Sequence, residues 1–156
     1  MLRPASLFVL ALAAATPAAA EIDRPGWGSL DTAKSYPALV AAVKSAATAE
    51  GMGVVTEAGP TEAAKARGVV IPGNRVIGLF SNDHALRILR LSTAAMIEAP
   101  LRMYVTENPD GTATLSWKLP SAVFAPYADE GGEALAEAAA DLDAVFAAIA
   151  REAAAD

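Results

Sequence analysis

The chain contains a single histidine and no cysteine, so few residues can do chemistry. His84 follows Asp83, and a carboxylate beside an imidazole is a possible proton-transfer pair. The two fall at the start of an apolar-periodic segment, where position and spacing fit helix capping better than catalysis. Met52, Met96 and Met103 supply thioethers that, with His84, would suit Cu(I) in an exported protein. All three fall at core positions, where methionine commonly fills gaps. Ser92, Ser116 and Ser121 lack a G-x-S-x-G context and a second histidine, so no serine nucleophile is assembled from these letters. Glu57, Glu98 and Glu107 show no paired spacing. Gly73-Asn74-Arg75 and Gly131-Gly132 read as turns rather than phosphate loops. No catalytic residue, metal site or cofactor is assigned.

Arg102, Tyr104 and Lys118 remain, and the elements that carry them bring them together. The segment Pro100–Pro120 reads as a β-hairpin around Asn108-Pro109-Asp110-Gly111. Proline presets φ for a type I turn, asparagine caps it, and glycine supplies the positive φ that follows. Such a turn makes a three-residue hairpin loop. Asn108 then faces Thr112, and the pairing runs outward: Glu107 with Ala113, Thr106 with Thr114, Val105 with Leu115, Tyr104 with Ser116, Met103 with Trp117, Arg102 with Lys118, Leu101 with Leu119. One face collects Leu101, Met103, Val105, Leu115, Trp117 and Leu119. The other collects Arg102, Tyr104, Thr106, Thr114, Ser116 and Lys118. A slip of one residue would mix the two sets, so turn and pattern agree on one register. One apolar and one polar face is what an antiparallel sheet covered on one side requires. Arg102 opposite Lys118 sets like charges across a strand pair, at a cost of about 0.2–1 kcal/mol unless offset. Together with Tyr104 they form a candidate site for a small anionic or hydrophobic ligand. The plain alternative is two long side chains blunting a sheet in solvent.

Upstream, Ser29–Thr32 reads as a short edge strand after a lead over 21–28. A helix spans Pro37–Glu50 behind Ser35 as N-cap, with Leu39, Val40, Val43, Ala46 and Ala47 on one face. Val54–Glu57 is a strand, and Thr61–Arg67 a short helix capped by Thr61. Val69–Ile71 is a strand entry or bent edge, and Arg75–Phe80 a strand. After the capping cluster Ser81-Asn82-Asp83 a helix is expected over His84–Ile97, with two apolar stripes. Leu86, Leu89, Thr93 and Met96 form the wider stripe. Ile88, Leu91 and Ala95, with His84 at their start, form a narrower one, assigned to a second layer or subunit interface. Beyond the hairpin, Ser121–Gly132 is a connection. Glu133–Glu152 is a long helix with Leu135, Ala138, Ala139, Leu142, Val145, Phe146 and Ile149 on one face.

Residues 1–20 have the marks of a secretory signal peptide: Arg3, an apolar run over Ala5–Ala15 too short to span a bilayer, and a small-x-small end at Ala18-Ala19-Ala20 before Glu21. Residues 21–156 then form one domain in a periplasmic or secreted protein, with no stable membrane insertion after cleavage. Without Arg3 the twelve basic residues become eleven against eighteen acidic ones, a formal charge of −7. That balance argues against general nucleic-acid binding.

Several ordered pieces resemble one family. They are Gly68-Val69-Val70-Ile71-Pro72; Arg75–Phe80 followed by Asn82; Glu98-Ala99-Pro100-Leu101-Arg102-Met103-Tyr104-Val105 with Glu107; and Asp110-Gly111, then Leu115-Ser116-Trp117 with Pro120. Over about Asp31–Phe124 the chain is similar to the domain-of-unknown-function 302 family. The resemblance implies a small α+β domain with helices on one face of an antiparallel-containing sheet, a two-layer sandwich, often homodimeric, and no established reaction. Many members look to carry an Asp-His pair after the first strand. Here that stretch reads Thr56-Glu57-Ala58-Gly59-Pro60 and has no histidine. The reading is a non-enzymatic binding or interaction module, a homodimer with a small-molecule ligand; a small periplasmic enzyme and a metal-handling protein are the alternatives.

Overall fold

A computed structural model describes residues 24–155; the expected signal peptide lies outside these residues. Five strands make one antiparallel sheet: β1 (Trp27–Ser35), β2 (Gly53–Ala58), β3 (Asn74–Phe80), β4 (Leu101–Glu107) and β5 (Thr112–Lys118), in the order β1-β5-β4-β3-β2. The helices are α1 (Tyr36–Ala49), α2 (Thr61–Ala66), α3 (Asn82–Leu91), α4 (Pro120–Phe124) and α5 (Ala128–Ala154). This is the α+β architecture expected.

The hairpin centres the sheet, and its register is the one the turn dictates. Five of the expected pairs are present, from Glu107–Ala113 to Met103–Trp117. Asn108 donates its amide to the Thr112 carbonyl at 2.9 Å, Gly111 donates to Asn108 O at 3.0 Å, and Gly111 has φ +85°. The ladder stops there rather than continuing to Arg102–Lys118 and Leu101–Leu119. Lys118 pairs instead with Trp27 and Arg102 with Gly78, while the Leu119 amide goes to Gly26 O at 2.8 Å. β5 leaves with β1 before Pro120 turns the chain into α4.

The inward face of the hairpin supplies Leu101, Met103, Val105, Leu115 and Trp117 to the core, all buried. Leu39, Val43, Ala46 and Ala47 of α1 and Leu135, Ala138, Ala139, Leu142, Phe146 and Ile149 of α5 close over it. Both helices expose their remaining faces, as their apolar periodicity requires. α5 breaks its helical geometry at Gly132 (φ 56°, ψ −147°), so the segment beyond is the long helix expected from Glu133.

Several expectations are corrected. β1 is nine residues long and starts at Trp27, earlier than expected. Thr61 does not cap its own helix: Pro60 occupies the N-cap position, and the Thr61 hydroxyl accepts the Asn74 amide at 3.0 Å. Val69–Ile71 is not a strand, and Val70 is almost fully exposed. Residues 121–132 are mostly helical, with a 3-10 turn at Ala125–Tyr127 after α4.

The largest correction concerns α3, which ends at Leu91 and not at Ile97. Ser92 is extended (φ −153°, ψ 119°), and a 3-10 turn follows over Ala94–Glu98. Buried Ser92 accepts the Ala95 amide at 3.0 Å and donates to Glu130 Oε2 at 2.6 Å. Its side chain thus competes with the helical backbone at this point. The stripes also exchange roles. Ile88 (2% exposed) and Ala95 (0%) belong to the chain's own core, with Leu91 packed against it, whereas Leu86 and Leu89 of the wider stripe are exposed. The interface assigned to His84, Ile88, Leu91 and Ala95 is therefore largely interior. The helix turned because the narrow stripe carries the residues that complete the core.

Candidate functional site

Helices cover one face of the sheet and leave the other accessible. Alternation along the strands decides what that open face carries: Trp27, Ser29 and Asp31 from β1, Lys118, Ser116 and Thr114 from β5, Tyr104 from β4, Val76 and Asn74 from β3. A groove of about 430 Å³ lies here, lined by Trp27, Asn74, Val76, Arg102, Tyr104 and Lys118, and also by Glu98, Leu101, Trp117 and Val123. Arg102, Tyr104 and Lys118 thus share one cavity, although the Arg102–Lys118 pair is not part of the ladder.

The contacts within it are specific. Lys118 holds its ammonium 5.9 Å from the centroid of the Trp27 ring, within range for a cation–π attraction. Asn74 Nδ2 donates to the Tyr104 hydroxyl oxygen, which leaves that hydroxyl's own proton available to another acceptor. Arg102 and Lys118 are exposed and form no ion pair among the described residues. Glu98, on the same side of the groove as Trp27 and Lys118, accepts the Tyr127 hydroxyl at 2.8 Å, and this carboxylate pushes the Tyr127 phenol above its ordinary pKa. The groove therefore combines two cations without an ion pair among the described residues, a phenol proton, an indole face and the Glu98 carboxylate.

On the same face Ser29 and Ser116 stand opposite each other. Both hydroxyls are buried without a hydrogen-bond partner among the described residues. Their neighbour Thr114 is satisfied, donating to Asp31 Oδ1 at 2.6 Å.

The remaining candidates separate. Met52, His84 and Met96 line one small cavity of about 30 Å³, beside Leu79 and Phe124. Met103 is wholly buried and does not reach it. Ser92 stabilises the chain at the end of α3, and Ser121 offers its amide to Asp143 Oδ1 at 2.9 Å. Among the described residues no group of three or more His, Asp or Glu side chains is placed to hold a metal ion, and no helix is long and apolar enough to cross a membrane.

Trp27, Asn74, Val76 and Glu98 are groove residues that sequence reasoning missed. Trp27 lies in the lead over 21–28, before the expected edge strand. The alternation Trp27, Ser29, Asp31 is the signal that would have extended β1 back to it. Asn74 sits at the end of a Gly-Asn turn pattern but begins β3, and Glu98 depends on the break after α3.

Fold and groove together define a small α+β domain with helices on one face of its sheet and a groove on the other. The chain belongs to the DUF302 family, a domain of unknown function, whose model matches residues 29–149. That match begins near the expected boundary and continues through most of α5, beyond Phe124. The crystal structure of the uncharacterized conserved protein DUF302 from Bacillus stearothermophilus is similar in fold, with a TM-score of 0.73 and 18% sequence identity. The similarity covers 83% of this chain and 99% of that one. No curated protein matches the chain.

Proposed function

We propose that this chain is an exported, non-enzymatic binding module that holds a small anionic ligand on the open face of its sheet. The observation that carries this reading is the meeting of Arg102, Tyr104 and Lys118 in one groove, with both cations free of ion pairs among the described residues. An arginine fork and an ammonium give charge-assisted hydrogen bonds to a carboxylate or phosphate. A single such contact contributes about 1.5–3 kcal/mol, so two support weak binding that apolar contacts must supplement. A thermal-shift screen of carboxylates, phosphate and sulfate at low salt tests it. Anions should raise the melting temperature of the wild type more than that of the Arg102→Thr, Lys118→Thr double variant; equal shifts would refute the site. Export rests on the signal-like pattern of residues 1–20.

The domain also pairs with a second copy, in this reading, through the outer face of α3, where Leu86 (53%) and Leu89 (44%) are exposed. Leu86→Glu with Leu89→Glu should lower the solution mass and remove any rise of melting temperature with protein concentration. An unaltered mass would exclude this surface.

One observation favours a second reading, soft-metal handling: Met52, Met96 and His84 around a single cavity, a donor set suited to monovalent copper. Native mass spectrometry with Ag(I) separates the two readings. A one-to-one adduct lost in Met96→Leu would support metal handling.

A further inference from the structure

We infer that the groove selects a carboxylate attached to a flat ring, a small aromatic carboxylate, over small anions in general; this rests on the anion-binding reading above. The two aromatic side chains and the two cations are not mixed at random. Trp27 and Lys118 are register partners on β1 and β5, and Arg102 sits at the same end of β4. Tyr104 stands two residues further along β4, opposite Ser116. By strand spacing, β1 and β4 lie about 10 Å apart with β5 between them. Trp27 and Tyr104 stand diagonally across β5, which carries Lys118 in the Trp27 row and the small, buried Ser116 in the Tyr104 row. The result is a trough with Trp27 and Tyr104 as aromatic walls and Arg102 and Lys118 toward one end, where Glu98 also lines it.

Each part then has a role. The carboxylate sits at the Arg102 and Lys118 end. The ring lies along the trough against Trp27 and Tyr104, where offset or edge-on aromatic packing adds to simple burial. Tyr104, which already accepts from Asn74, is free to donate toward the ligand. Lys118 beside the Trp27 ring holds that wall in place. A volume of about 430 Å³ is within the range of small-molecule sites and has room for one or two rings. Acetate or phosphate would use the charged end and leave both walls bare. A neutral ring would use the walls and leave two cations unpaired.

The test is calorimetric titration of the chain lacking residues 1–20 with benzoate, 1-naphthoate, acetate, benzamide and inorganic phosphate, alongside tryptophan fluorescence. Aromatic carboxylates should bind at least about tenfold more tightly than acetate, phosphate or benzamide, a difference of about 1.4 kcal/mol. Trp27→Leu should abolish the preference for the ring and keep weak acetate binding. Trp27→Phe should restore part of the preference, which a merely unfolded variant would not. Arg102→Thr with Lys118→Thr should remove all binding. Equal affinity for acetate and benzoate, both lost in that double variant, would overturn the ring selectivity and leave the anion site standing. Equal affinity for benzamide and benzoate would overturn the need for charge. Binding of none of the five overturns both. A change of solution mass in the double variant would mean that a second copy covers this face, and would also overturn both.

Discussion

Gly28 lies against the ring of Trp117 across the β1–β5 ladder: a Cβ placed on Gly28 would come within 2.3 Å of Trp117 Cζ2. The indole of Trp117 thus lies over the β1 backbone on the covered face, at a position where any side chain would collide with it. Its neighbour Trp27 alternates to the opposite face and becomes a wall of the groove. One glycine lets two tryptophans at adjoining positions serve the two sides of the sheet.

Gly28→Ala should therefore overpack this contact and destabilise the domain by about 1–3 kcal/mol. Urea unfolding followed by circular dichroism measures it. Combining it with Trp117→Leu should recover part of the loss, since the two side chains share one space. An unchanged midpoint for Gly28→Ala would show that the ring does not lie over β1.

The orientation of α3 yields a paired prediction. Ile88 is buried in the core, so Ile88→Ala should cost about 2–5 kcal/mol. Leu86 is exposed in the single chain, and Leu86→Ala, measured at a dilution where the chain is monomeric, should stay within about 0.5 kcal/mol of wild type. The reverse order would mean that the helix presents its other stripe to the sheet.

Glu57 supplies a dependence on pH. Lys44 donates to Glu57 Oε1 at 2.6 Å and Arg75 to Oε2 at 3.1 Å, and the Lys44 bond, with the two positive charges, holds this carboxyl below its ordinary value. A depressed carboxyl pKa stabilises the fold at pH values above the unfolded-state value. The contribution is lost as pH falls from there through the folded-state value. Because the cluster is exposed, Glu57→Gln should cost no more than about 1 kcal/mol near neutrality. The gap in melting temperature between wild type and variant should close as pH drops below about 4. A gap that persists into stronger acid would show that the ion pairs are not its source.

Processing can be read from mass. Ala18-Ala19-Ala20 before Glu21 predicts an exported product beginning at Glu21. Intact-protein mass spectrometry of periplasmic and cytoplasmic fractions should find that form in the periplasm. A product that keeps Met1–Ala20 in the soluble fraction would rule out cleavage there.

How much of this was legible in the letters depends on the range of the forces involved. The hairpin was readable because its turn acts over four residues, Asn108 to Gly111, and the alternation of period two on either side of it then leaves one register. Arg102, Tyr104 and Lys118 could be placed together for the same reason, and the helical faces of α1 and α5 followed from spacing alone. What the sequence could not decide was which of two plausible surfaces the rest of the molecule would cover. α3 offers two apolar stripes, and only the core completed by α5 and the sheet determined that Ile88 turns inward and Leu86 outward. The break at Ser92 depended on Glu130, far along the chain and visible only once the helices pack. Trp27 entered the groove through pairing with β5, a contact between residues ninety-one positions apart that no local pattern encodes. Local stereochemistry specified the hairpin and its polar face; long-range packing made that face a groove and gave it its aromatic wall.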